Sequence, residues 1–362
     1  MNEPTFENTT LSVENASVSA EAETAARDAE TAAREAAQSA REREARRSLS
    51  RLGLALAAFS LLPQIVATLL YWLVPYVFPE WVESDWFLWA VQVFCLYIVG
   101  LCAFFLILGR KPLPAVATPR EPFSFFRLFR LFSIMMACAL AGSLISTVLS
   151  TLARVFVRLP VTDTTSEILL SSSPVYLFLV VVVIGPIVEE LVYRYAVMRV
   201  LLPYGERGAI LFSGLIFGLI HGNLFQLFYA FALGVLLSFL YSRTGKLRYP
   251  ILLHMLFNFF GGFLPALLTQ ILPMDELTGG AATLETILAS LFPILGLLLY
   301  ELLYFGLAVT GLIFFLLCCT RTRFYPATSP LRRGAWEKAH LFSAGMIAFF
   351  AVSFVLLVLS LF

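Results

Sequence analysis

Charge is scarce in this chain. Asp, Glu, Lys and Arg make up 14% of its 362 residues, against about 25% in an ordinary soluble domain. The few charges nearly cancel, at a formal net +1, so no basic field points to a nucleic-acid partner. Histidine is scarcer still, with three copies. The five cysteines (Cys95, Cys102, Cys138, Cys318 and Cys319) all fall in or beside apolar runs. They show no CxxC or metal-type spacing, which argues against a disulfide framework and leaves them as small apolar fillers. The first fifty residues are polar, so the sequence shows no secretory signal peptide. What is abundant is hydrocarbon: 59% apolar residues, 14% aromatic, and 34 phenylalanines. The expected fold is therefore all-α, a polytopic transmembrane helix bundle with a polar N-terminal tail.

Two regions follow: a tail over residues 1–50 and a membrane-embedded helical domain over 51–362. The first twenty residues are rich in Asn, Thr, Ser and Glu and are expected to be disordered. A seven-residue repeat follows, Ala22-Glu-Thr-Ala-Ala-Arg-Asp28 and then Ala29-Glu-Thr-Ala-Ala-Arg-Glu35. Ala, Glu and Arg favour helix, and Glu30 and Arg34 are an i,i+4 pair. Alanine gives only a thin apolar seam, so a solvated juxtamembrane helix is favoured over a coiled coil. The repeat is also a candidate for recruiting a protein partner. Nine spans are expected, at about 52–75, 86–108, 128–153, 175–200, 208–223, 226–242, 250–270, 287–318 and 341–361, with the fifth and sixth short of the usual ~20 residues. If the N-terminus is cytoplasmic, every Lys and Arg except Arg154 and Arg158 falls on the cytoplasmic side. The positive-inside rule then sets the N-terminus inside and the C-terminus outside a cell membrane.

Polar residues interrupt three of these apolar runs: Glu189, Glu190 and Arg194; then His221; then His254 and Asn258. An ionisable group in hydrocarbon is costly unless paired or wetted, so one buried polar site built from three helices is the simplest account. Unrelated interhelical hydrogen bonds are the bland alternative. Successive helical residues point about 100° apart, so the two glutamates cannot face one spot. Glu190 and Arg194, at i,i+4, are expected to pair. Glu189 is left free to act as a general base. His254 and Asn258 share one helical face. Counting ~1.5 Å per residue from each segment end puts Glu189 and His221 about 20 Å deep from the cytoplasmic side, His254 about 6 Å and Asn258 about 12 Å. A carboxylate, two imidazoles and an amide make a set suited to water activation and oxyanion binding.

Glu189-Glu190-x-x-Tyr193-Arg194, Phe217-x-x-x-His221 and His254-x-x-x-Asn258 resemble the three motifs of the CAAX-processing and bacteriocin-immunity intramembrane proteases. The likeness covers about residues 170–262, and Gly234, the Tyr241–Lys246 turn and Pro250 add to it. Tyr195 departs from it, standing where that family commonly has glycine. The resemblance implies a membrane core of about eight helices and an intramembrane endopeptidase hydrolysing a membrane-associated protein or peptide. It assigns Glu189 and His221 to water activation, His254 and Asn258 to oxyanion stabilisation, and Glu190, Arg194, Tyr193 and Phe217 to support. Whether a metal takes part stays open; Glu189, His221 and His254 could supply a zinc set, without HExxH spacing.

A non-catalytic scaffold, regulator or bacteriocin self-immunity protein of the same family is the alternative reading. A proton relay would use similar groups, but no inverted repeat relates the two halves. Tyr193, Phe217, Phe225 and Phe257 could shape a peptide groove or simply pack. His340 reads as an exposed linker residue, Asn223 as a cap for the fifth span. Glu301 reads as a lone acid facing either the cavity or a neighbouring helix.

Overall fold

A computed structural model describes residues 7–109, 113–114, 122, 124–273, 276–277, 279, 283–318, 322–332 and 334–361, with side chains from Glu23 onward. Among the described residues there is helix and no strand. Cys319, Asp275 and several loop cations of the charge-asymmetry argument (Arg110, Lys111, Arg120, Arg321 and Arg333) lie outside them.

The principal helices are α1 (Glu7–Leu73), α2 (Asp85–Leu108) and α3 (Phe125–Val157), α4 (Thr164–Ser171), α5 (Pro174–Tyr204) and α6 (Glu206–Ile220). They continue with α7 (Leu224–Thr244), α8 (Arg248–Gln270) and α9 (Leu284–Cys318), α10 (Ala335–His340) and α11 (Ala344–Leu359). Seven of them are long and apolar enough to cross a membrane. The protein is a polytopic membrane bundle. The other two of the nine expected spans are short apolar helices, the fifth as expected and the ninth shorter than expected. Helix α6 has 15 residues and α11 has 16, about 22–24 Å each against a core of ~30 Å. The sixth span, expected to be short, is a full 21 residues as α7.

The N-terminal region also departs from expectation. No disordered stretch separates tail from span; α1 runs from Glu7 through Leu73 as one helix, with the Glu30–Arg34 pair formed on its exposed surface. The chain therefore passes from alanine-rich polar helix into apolar helix as one continuous helix, in which Pro63, having no N–H, leaves out one rung of the ladder. Side-chain chemistry changes there while helix propensity does not.

Helices α6 and α7 form a hairpin, α7 packs on α3, α3 packs on α9, and α1 packs along α2 and α11. The α1–α11 crossing is glycine on glycine: a side chain on Gly53 would collide with the Gly345 backbone, and one on Gly345 with the Ser50 carbonyl. Gly345 N–H also donates to Ser50 Oγ at 3.0 Å. Small residues let membrane helices approach this closely. The hairpin's chain reversal is a three-residue link. Asn223 caps the start of α7, its Oδ1 accepting from Phe225 N–H at 2.7 Å. It thus caps the sixth span and not, as expected, the fifth. At the far end of α7, Gly245 closes the helix with φ +62°, and its N–H donates to the Tyr241 carbonyl at 2.8 Å, an arrangement glycine tolerates best.

The end of the bundle nearest Pro203 and Arg243, called the basic end here, is tied by polar contacts. Glu206 accepts from Arg243 Nη2 at 3.0 Å, from Ser242 Oγ at 2.9 Å and from Tyr325 N–H at 2.7 Å. Arg332 donates to both oxygens of Glu42, and Gln38 donates to the Pro330 carbonyl. His340 is corrected from exposed linker to fully buried residue. Its ring stacks on Trp336 at 3.9 Å and meets Phe212 edge-on at 5.3 Å. Helical spacing places Trp336 one turn before it, and burial pushes the imidazole down to about 4, against the opposing pull of the Trp336 carbonyl and Glu337.

Helix α9 lies along α3 with most of its surface exposed. Glu301, near its midpoint, is exposed and makes no hydrogen bond or ion pair with the described residues. Neither expected role, cavity wall or interhelical tie, is the one it occupies.

Candidate active site

The polar residues meet where α5, α6 and α8 converge. Helix α5 is not uniform: π-helical stretches at Leu177–Ile184 and Leu191–Val197 flank an α-helical segment, Gly185–Glu190. Pro186 lacks the N–H that the ladder needs, and an i→i+5 step is one way around such a gap. Single π turns often sit at functional sites; here they bracket both glutamates.

Glu190 is fully buried. Its Oε1 lies 3.0 Å from His254 Nδ1, and its Oε2 lies 3.0 Å from Arg194 Nε. The second contact is charge against charge without hydrogen-bond alignment. Arg194 is fully buried too, and its guanidinium sits 4.8 Å from the Phe217 ring centre and 5.8 Å from that of Tyr193. The expected Glu190–Arg194 pair is therefore present, and Phe217 and Tyr193 pack as its aromatic walls. Phe257 is also buried as packing, with Phe225 half-buried.

Glu189 keeps 22% of its side-chain surface exposed. Its Oε2 is 3.8 Å from His254 Nε2, too long for a direct hydrogen bond. One imidazole thus stands between two carboxylates with unlike surroundings: one buried and engaged, one open. The His254–Glu190 bond was not legible in the sequence, because it joins helices 64 residues apart.

His221 sits at the C-terminal cap of α6 and not inside a helix. Its Nδ1 is 2.7 Å from the Phe217 carbonyl oxygen. A carbonyl only accepts, so that partner assigns the proton to Nδ1 and leaves Nε2 with a lone pair. The Phe217 ring lies edge-on to both imidazoles, 5.0 Å from His221 and 5.7 Å from His254. Asn258 donates through Nδ2 to the Val181 carbonyl at 2.9 Å. Val181 lies two turns before Glu189 on α5, about 12 Å along the axis.

The depth order expected from residue counting is therefore overturned. His254 lies level with the glutamates, and Asn258 lies beyond them, farther from the basic end. Counting assumed that all segment ends share one plane. Tilted and packed helices need not descend equally from such a plane. Tyr195, the departure from the family pattern, points outward beneath Arg199 at 4.9 Å and leaves the site untouched. Among the described residues no three His, Cys, Asp or Glu side chains form a group that could hold a metal ion. The zinc set of Glu189, His221 and His254 does not fit this arrangement, and no step below runs through a metal.

Residues 171–260 match the family model described as "Type II CAAX prenyl endopeptidase Rce1-like". That stretch is about a quarter of the chain. Both glutamates, both site histidines and Asn258 fall within the Rce1-like segment. One curated relative, "Putative membrane peptidase YdiL" of Bacillus subtilis (strain 168), is 35% identical over 82 residues, which is 22% of this chain and 32% of the relative. The matched stretch thus spans about a third of that relative's length. No solved structure matches.

Proposed function

We propose that the protein is an intramembrane endopeptidase acting on a membrane-associated protein or peptide, with its N-terminus and basic end in the cytoplasm and its C-terminus outside. The observation that carries this is the open Glu189 carboxylate beside a histidine that a second, buried glutamate holds in place. Glu190 fixes the ring of His254, as a second carboxylate orients an imidazole elsewhere. Glu189 and the unprotonated Nε2 of His221 are the two acceptors for the protons of an attacking water. As the water oxygen bonds to the scissile carbon, Glu189 takes one proton. When the C–N bond breaks, that proton passes to the leaving amine. The Rce1-like segment supports the same reaction class. Asn258, bound to Val181, holds α8 against α5, and its second amide hydrogen stays available to a substrate oxygen.

The test is quantitative comparison of new peptide termini in membranes holding the wild type or Glu189→Gln at equal abundance. Cleavages seen only with the wild type are expected. Indistinguishable peptide sets would overturn the enzymatic reading in favour of a non-catalytic family member.

A further inference from the structure

Hydrolysis of an amide leaves negative charge on the former carbonyl oxygen, and a fixed N–H or O–H donor must meet it. Within the matched segment most donors face elsewhere. His221 Nδ1 is engaged by the Phe217 carbonyl, His254 Nδ1 by Glu190, and one Asn258 amide hydrogen by Val181. Arg194 is sealed beneath Phe217 and Tyr193.

One hydroxyl reaches the site from outside that segment. Tyr97 stands in α2, in a π-helical stretch of its own, Val93–Gly100. A methyl group built on Gly185 would lie 2.9 Å from Tyr97 Oη, 3.0 Å from the carbonyl oxygen of Val180 in the preceding turn of its own helix, and 3.8 Å from Glu189 Oε1. Gly185 is one turn before Glu189, on the same face of α5. Phenol and carboxylate therefore converge on the single notch that glycine leaves open. Tyr97 is half-buried, its ring packed against the cluster of Trp89, Leu177, Val180 and Ala266.

We propose that Tyr97 is a catalytic residue whose Oη–H donates to the carbonyl oxygen of the scissile peptide and holds the oxyanion as it forms. The inference rests on the peptidase reading above. In the step, the water oxygen bonds to carbon, its proton goes to Glu189, and the carbonyl π pair moves onto oxygen. Tyr97 donates a hydrogen bond to that oxygen and keeps its own proton. When the intermediate collapses, the pair returns, the C–N bond breaks, and Glu189 gives its proton to the amine. Gly185 is the positioning residue that gives the phenol its path.

The experiment uses purified, reconstituted full-length protein. Its probe is a synthetic peptide spanning the strongest cleavage that Glu189→Gln abolishes. Tyr97→Phe keeps the ring and removes the hydroxyl. Its kcat is expected to fall about 10²–10³-fold, the usual cost of one oxyanion donor, with KM within about twofold. Gly185→Ala is expected to lower kcat by driving the hydroxyl away. In the Tyr97→Phe background the same substitution is expected to cost less than about threefold, because the group it displaces is gone. Tyr97→Phe retaining wild-type kcat, or full additivity of the two changes, overturns the role of Tyr97 while the peptidase reading stands. Absence of any Glu189-dependent cleavage overturns both.

Discussion

Replacing Glu190 by glutamine tests the buried half of the site. Glu190 Oε1 accepts from His254 Nδ1 and its Oε2 faces Arg194 Nε as an ion pair, each at 3.0 Å. Glutamine has one accepting oxygen. Whichever way its amide turns, its NH₂ meets a donor, and Arg194 becomes a buried cation without a counter-ion. Breaking a buried pair from one side costs about 3–5 kcal/mol, or about two to three and a half powers of ten in the folding equilibrium. Glu190→Gln is therefore expected to lose folded protein at far lower denaturant, measured by SDS titration of the purified protein in mixed micelles. Combining Glu190→Gln with Arg194→Met removes the stranded charge and is expected to recover most of that loss. Glu189→Gln should leave the transition near wild type, because Glu189 is partly exposed and makes no direct hydrogen bond to His254. If Glu190→Gln unfolds with the wild type, or the double variant is no better than the single one, the pair does not carry the stability assigned to it.

Reporter fusions at Lys246 and Phe362 are expected on opposite sides of the membrane, since α8, α9 and α11 separate them; a shared side would mean that α11 does not cross. His340 should make stability pH-dependent. Its folded value, about 4, lies below the ~6.5 of a free imidazole, so its contribution is full above about 6.5 and is lost as pH falls toward 4, by up to about 3 kcal/mol. Melting curves at pH 7.5 and 5 should show this drop in the wild type and a smaller one in His340→Phe; equal drops refute it. Gly345→Ala should destabilise by about 1–3 kcal/mol through overpacking at α1, whereas Gly306→Ala, which would meet nothing within 4 Å, should not. Matching melting temperatures for the two would remove the crossing as a structural weld.

What the sequence made legible was whatever depends on local spacing or bulk composition. The membrane class, the helices and the Glu190–Arg194 pair follow from hydropathy and the i,i+4 rule. Contacts between distant segments were not legible. Nothing near His254 in sequence points to Glu190, and nothing near Glu206 points to Arg243 and Tyr325. Tyr97 lies outside every motif and enters the site only because Gly185 is opposite it. His340 misled because its sequence neighbours are charged, while its three-dimensional neighbours are Trp336, Phe212 and Tyr204. The depth error for Asn258 had a different origin, a common reference plane that tilted helices do not share.

The unbroken α1 changes what its polar half does mechanically. Glu42 is clamped by Arg332 and Gln38 holds Pro330, so the helix leaves the bundle in a set direction. From there back to Glu7 is 35 residues, about 50 Å as helix. A flexible chain of that length would wander with an end-to-end distance of about 30 Å, its far end sweeping a volume around its root. A rod does not sweep. It fixes a radius, so a molecule held at the tip of α1 stays about 50 Å from the Glu42 clamp.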